Sequence, residues 1–184
     1  DSFADVPGTI HVRPEVLQEL YYDVADSILR HGFDHLFFLT AHAPNQPVMR
    51  HVFHRLRAER GVLAASMNPG RIAPVYVKDL FDEPLRARGH GAEPGLSIGE
   101  YLAPEDVSRE GARPSKALSK FRGFDVKGTA VKFQGFDVLM RLSIADVAPE
   151  TCGYGDPTQG SAEQGHVMFE RMVDVLCEFV DEFR

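Results

Sequence analysis

Three residues of this 184-residue chain stand where their types and neighbours allow chemistry: His42, His90 and Glu93. His42 follows the apolar run 34-DHLFFLTA-41 and precedes 43-APNQPVM-49, where helix-forming sequence begins. An imidazole just past the carboxyl end of a strand lies where open α/β sheets bind ligands. A neutral ring nitrogen there can hold a transition metal; the same residue can do no more than close the turn. Asn45 is of a type that caps a following helix. His90 and Glu93 lie three apart in 89-GHGAEPGLS-97, among glycines that let a backbone approach a ligand closely. A His beside a carboxylate can act as general acid or base; the pair can equally be two solvated loop residues.

The other histidines weigh less. His51 and His54 are three apart on a helical stretch, a spacing that suits a metal but more often marks a solvated face. His11 and Arg13, in the segment HVR, could line a pocket. His31, His35 and His166 have no partner pattern. The sequence holds no serine-centred elbow, glycine-rich phosphate loop or Cys-x-x-Cys.

These residues need a scaffold, and the periodicity supplies one. Pro14 suits a first helical turn, and Val16, Leu17, Leu20, Tyr21, Val24, Ile28 and Leu29 recur at helical spacing over 14–31. Residues 35–40 read as a strand apolar on both faces, as inside a parallel sheet. A helix follows over 46–60, then strands over 62–67 and 72–77, with a further short strand at 9–12. The alternation of helix and strand predicts an α/β class with a parallel sheet and right-handed connections. Residues 96–102 read as a short helix and 108–120 as a mobile surface loop. The copies 121-FRGFDV-126 and 133-FQGFDV-138 predict a hairpin-like excursion of two similar strands. A long amphipathic helix is expected over 161–183, its stripe of Val167, Met168, Met172, Val175, Leu176, Phe179, Val180 and Phe183 serving core or subunit interface.

Bulk properties narrow the class. A length of 184 residues fits one domain with a real core. The apolar share of 43% and charged share of 26% are those of a globular protein. A net charge of −7 disfavours nucleic acid and anionic membrane as partners. No run nears the roughly 18 apolar residues of a membrane span, and the first residues lack a signal-peptide pattern. Cys152 and Cys177 are too few for a disulfide framework and fit two reduced thiols in a cytoplasmic protein.

Several segments together resemble the creatininase (creatinine amidohydrolase) family. The matches are 7-PGTIHVRPEVL-17, 31-HGFDHLFFLTAHAPN-45 against a strand and GHGGN loop, 90-HGAEPGLS-97 against HAGEAETS, 103-APEDV-107, and 155-GDPTQGSAEQGHVMFE-170 against a terminal GDP helix. Their order and spacing agree over nearly the whole chain. The resemblance implies a layered, mainly parallel sheet flanked by helices. Residues 1–184 would be the C-terminal part of a single creatininase-like domain, with an irregular insertion near 108–140. It implies hydrolysis of a non-peptide C–N bond, of cyclic-amide or formamide type, in a small molecule, by water activated on divalent zinc, manganese or iron. His42 then matches a metal ligand, Glu93 a metal ligand or catalytic carboxylate, and His90 a catalytic histidine. The family's N-terminal segment, which carries further metal ligands, would be absent or on another chain of a hexamer-like homo- or hetero-oligomer. The chain also departs from the pattern: Ala41, Ala43 and Pro44 replace glycines, and Gly95 and Leu96 replace a Glu and a Thr. Those departures suit the alternative of a non-catalytic structural or regulatory subunit.

Overall fold

The computed structural model describes residues 3–184. In chain order its elements are α1 (Pro14–Arg30), β1 (Leu36–Leu39), α2 (Gln46–Arg60), β2 (Ala64–Met67), α3 (Pro69–Leu80), α4 (Pro84–Ala87), α5 (Gly95–Leu102), β3 (Lys120–Phe121), β4 (Phe124–Lys127), β5 (Ala130–Phe133), β6 (Phe136–Val138), α6 (Ile144–Val147) and α7 (Ala162–Phe183). Short 3-10 turns occupy Ala43–Asn45 and Pro104–Asp106. The architecture is α/β. Two compact units can be distinguished: His11–Ile72 with Met172–Arg184, and the residues up to Ile10 with Ala73–Arg171.

In the first unit β1 and β2 pair in parallel, Leu36 opposite Ala64 through Leu39 opposite Met67. Alternation along β1 explains a strand that is apolar on both faces. Leu36 and Phe38 pack with Tyr22, Ala25, Val52 and Leu56 of α1 and α2, while the Phe37 ring lies 5.0 Å from that of Phe179. Each large apolar side chain buried in this way contributes about 1.5–3 kcal/mol. Pro14 opens α1, Glu15 and Arg30 sit at the ends the helix dipole favours, and Gly61 closes α2 in the left-handed conformation. Asp26 is buried between α1 and α2 and pairs with Arg30 and Arg60.

The second unit holds α4, α5, α6 and a four-stranded antiparallel meander, β3-β4-β5-β6. Antiparallel strands among the described residues are confined to this region, inside the expected insertion. Val131, Leu142 and Val147 form the meander's core with Phe121, Phe124, Val126 and Val138 packed around them. Val77, Phe81, Ala87 and Met168 form another core.

Three expectations need correction. Residues 72–77 are helix, part of α3. A central strand would have placed Pro74, which has no N–H, in a hydrogen-bonded ladder. As a helix the segment buries Ala73 and Val77 at i,i+4 and leaves Val75 exposed. Residues 9–12 form no strand; Ile10 is 96% exposed and no neighbour pairs with it among the described residues. The repeated FxGFDV copies are not two strands of one hairpin. Each copy contains the turn of a hairpin of its own, with Phe121 opposite Phe124 and Phe133 opposite Phe136. The pairs Arg122-Gly123 and Gln134-Gly135 have φ of +47° and +89°, and +50° and +85°. Positive φ at both central residues is what a two-residue hairpin loop of matching twist requires.

Candidate active site

The first unit places His42 just beyond the carboxyl end of β1. Its backbone is extended, φ −101° and ψ 113°, its side chain is exposed, and its carbonyl accepts from the Asn45 N–H at 3.0 Å. Asn45 does not cap α2, contrary to expectation. It is already helical, φ −76° and ψ −19°, so its side chain is turned from the first-turn amides; Nδ2 donates to the Tyr21 hydroxyl at 3.1 Å instead. Pro47, early in α2, has no N–H to satisfy, which lowers the need for a cap. A polar network follows: Gln46 Nε2 donates to Thr40 Oγ1 at 3.0 Å, and Ser66 Oγ donates to Gln46 Oε1 at 3.4 Å. Next to it a cavity of about 460 Å³ opens at the carboxyl end of β2.

The second unit contains both His90 and Glu93 and separates their surroundings. His90 is exposed; its ring centroid lies 4.6 Å from that of Phe3, and its carbonyl accepts from the Tyr154 N–H at 2.9 Å. It lines a cavity of about 540 Å³ with Glu110, Arg113, Glu150, Cys152 and Tyr154. Glu93 is completely buried. Its backbone is held against Ala87 and Gly89 by hydrogen bonds of 3.2 and 3.1 Å. Its Oε2 accepts from the Ser97 N–H, in the first turn of α5, at 3.3 Å. Its Oε1 accepts no hydrogen bond among the described residues, and the Arg109 guanidinium stands 4.0 Å away. Burial pushes the Glu93 carboxyl up, against the opposing pull of Ser97 and Arg109.

Distant glycines make this burial fit. A Cβ on Gly160 would lie 1.9 Å from Glu93 Oε1 and 2.1 Å from Ser97 Oγ, and one on Gly165 would lie 1.9 Å from the Ser97 carbonyl oxygen. Arg109 is fixed by Glu100 on α5, Nε to Oε1 at 2.5 Å and Nη2 to Oε2 at 2.7 Å, and donates to the Pro157 carbonyl. Asp156, also buried, accepts from the Thr158 N–H and hydroxyl, from Gln159, and pairs with Arg86 at 3.1 Å. Sequence reasoning singled out neither Arg109 nor Asp156. The GDP turn gave a signal for Asp156; nothing local signals that Arg109 reaches Glu93. His51 and His54 are both exposed on α2. His35 pairs with Asp34 at 2.7 Å, and His166 stacks on Tyr101 at 4.6 Å. Both cysteines are free.

As metal donors the candidates suit a divalent cation in kind: an exposed imidazole at a strand end, and a carboxylate oxygen without a hydrogen bond. They fall short in number. Among the described residues no three His, Cys, Asp or Glu side chains gather where they could hold a metal ion, and a catalytic zinc site usually takes three protein ligands.

The creatininase family model, described as creatinine amidohydrolase, matches residues 1–180. The chain belongs to the creatininase family. Its fold is similar to that of solved creatininases. A tryptophan-to-phenylalanine mutant creatininase matches with a TM-score of 0.71 at 18% identity, over 96% of this chain and 67% of that one. A structure described as "Creatininase Mn" and a glutamate-to-glutamine mutant creatininase of Zn-Zn type each match with a TM-score of 0.67 at 18% identity, over the same shares. This chain therefore spans about two thirds of the length of these creatininases. No curated protein matches its sequence. No helix among the described residues is long and apolar enough to cross a membrane.

Proposed function

We propose that this chain, as one creatininase-like domain, is part of a metal-dependent amidohydrolase. The reaction is hydrolysis of a non-peptide C–N bond, of cyclic-amide or formamide type, in a small molecule. The observation that carries the reading is the position of His42: an exposed imidazole at the carboxyl end of a parallel strand, within a chain of the creatininase family. The manganese and zinc forms among the structural relatives support a divalent metal, zinc, manganese or iron, as the cofactor. When bound, that metal supplies Lewis-acid polarisation and an activated water.

The chain's own residues take the following parts. His42 offers a ring nitrogen as metal ligand. Within the other unit, Glu93 offers a metal donor or the catalytic carboxylate, with Ser97 and Arg109 beside its two oxygens. His90, on the wall of its cavity, gives a proton to the leaving nitrogen. The remaining ligands come from outside the described residues, and a further chain of a hexamer-like oligomer is the source we favour. A cytoplasmic setting accords with the two free thiols.

A second reading, a non-catalytic structural or regulatory subunit of the same fold, is favoured by one observation, the lack of a three-donor cluster among the described residues. Metal analysis and hydrolysis assays on the complete assembly separate the two. The hydrolase reading expects bound zinc, manganese or iron, and a loss of hydrolysis in His42→Ala of at least about a hundredfold. An assembly without these metals, whose hydrolysis is unchanged by His42→Ala, leaves the second reading standing.

A further inference from the structure

Helix α1 carries more apolar surface than its own unit covers. Its inward face, Tyr22 and Ala25 with the partly buried Tyr21 and Leu29, packs on α2 and β1. Four further large residues, Val16, Leu20, Val24 and Ile28, do not join that core; they are 37% to 55% exposed. They are spaced four apart, so each lies about 40° further round the helix than the last. Together they form one apolar ridge of roughly 18 Å along α1. Single exposed apolar residues are ordinary, but a contiguous row marks an interaction surface.

The ridge fits a second copy of itself. A row of residues four apart is the ridge that interdigitates with its like in the commonest helix packing, at a crossing angle of about −50°. About a twofold axis between Leu20 and Val24, Leu20 faces Val24 of the second copy and Val16 faces its Ile28, so a larger side chain meets a smaller one in each pairing. Charge follows the same symmetry. The amino end of α1 carries Glu15, and its carboxyl end carries Arg30 followed by His31. Glu15 is exposed and forms no ion pair among the described residues; Arg30 pairs with Asp26 but keeps 70% of its side chain exposed. An antiparallel pair sets Glu15 of each copy against Arg30 of the other and opposes the two helix dipoles. A parallel pair would set Glu15 against Glu15. Asp23, exposed beside the middle of the ridge, lies nearest its own counterpart in the antiparallel pair, a like-charge contact that limits the affinity.

We propose that the ridge of Val16, Leu20, Val24 and Ile28 is an isologous interface, at which two copies of this chain pair through antiparallel α1 helices about a twofold axis. The apolar ridge supplies the affinity, and the Glu15–Arg30 contacts at its two ends fix direction and register. The surface belongs to α1 alone, so it stands whether or not the assembly is a hydrolase.

Sedimentation equilibrium of the full-length protein, with circular dichroism and Tm on every variant, tests the interface. The parent is expected to associate in an even number of copies. Leu20→Glu should raise the dissociation constant of the α1 contact at least about a hundredfold and so halve the mass of the assembly. Leu20 lies outside the core, so the helical signal should be kept. Leu20→Ala, which adds no charge, should weaken the contact about tenfold. Glu15→Lys should weaken it about three- to tenfold, most at low salt, and Asp23→Asn should tighten it about twofold or more. A parent that is monomeric or odd-numbered overturns the interface. So does an assembly whose mass is unchanged by Leu20→Glu, or one that Glu15→Lys tightens, since that reverses the direction of pairing. Loss of the folded signal in both Leu20 variants, with association unchanged, also overturns it: the ridge would then be covered by another segment or another protein.

Discussion

His42 and Glu93 are held in opposite ways. His42 lies just beyond a parallel strand, is exposed, and precedes a turn of three residues, Ala43–Asn45, that leads straight into α2. Glu93 is sealed inside the other unit, its carboxylate against Ser97, Gly160 and Arg109. The first is positioned by local chain direction, the second by residues up to about seventy positions away along the chain. The chemistry of Glu93 and the packing of α5 on α7 share the same atoms, so neither can change without the other.

The comparison is broken most severely at Gly165. Its added Cβ would meet the Ser97 carbonyl oxygen at 1.9 Å and the Ser97 carbonyl carbon at 2.3 Å, which are backbone atoms of α5 and cannot rotate away. Ala favours helix over Gly by about 1 kcal/mol, but overpacking costs about 1–3 kcal/mol or more, so Gly165→Ala is expected to destabilise by the upper part of that range. Gly160→Ala should cost somewhat less, because one of the atoms it strikes, Glu93 Oε1, ends a side chain. Urea unfolding measures both. If either variant is as stable as the parent, the close seat of Glu93 is not what holds α5.

Glu93→Gln sharpens the contrast through pH. Burial raises the Glu93 carboxyl above its ordinary value of 4.5, so the folded state holds that proton longer than the unfolded chain does. The stability this gives is fully present below the ordinary value and is lost as pH rises through the raised one. Glutamine keeps the shape and cannot ionise. The stability of the parent relative to Glu93→Gln should therefore fall as pH is raised from acid to neutral, with the slope beginning near 4.5. Unfolding curves at several pH values decide it; a parallel pair of profiles, or one of opposite slope, removes burial as the governing effect.

The same contrast separates what the sequence made legible. α1, β1, α2, β2, α5 and α7 follow from periodicity, Pro14 and the glycines, because those signals are local. The position of His42 follows from the strand-end rule for the same reason. The meander was half legible. The repeat is visible in the sequence, and within FxGF a glycine preceded by a residue able to adopt positive φ is a turn signal rather than strand sequence. Over 72–77 the apolar run reads as a strand, but Pro74 inside it is a local sign against one. The burial of Glu93 was not legible at all. It depends on Gly160, Gly165 and Arg109, which are close to it only after folding, and an isolated Gly in a loop or helix carries no sign of what it lies against. The spacing of His90 and Glu93 pointed to a shared site, yet the fold gives one to solvent and the other to the core.

The smallest effect is expected at Asn45, and it tests the local half of the comparison. A helix cap and a bond to a neighbouring helix both predict a loss of about 1 kcal/mol for Asn45→Ala. They differ in what Tyr21→Phe does. Asn45 Nδ2 donates to the Tyr21 hydroxyl at 3.1 Å and makes no cap bond, so the two substitutions remove the same interaction. The double variant should then be about as stable as the worse single one, with a coupling energy of about 0.5–1 kcal/mol. A capping Asn45 would give additive losses instead. Coupling of this size ties Asn45, which ends the turn that follows His42, to α1.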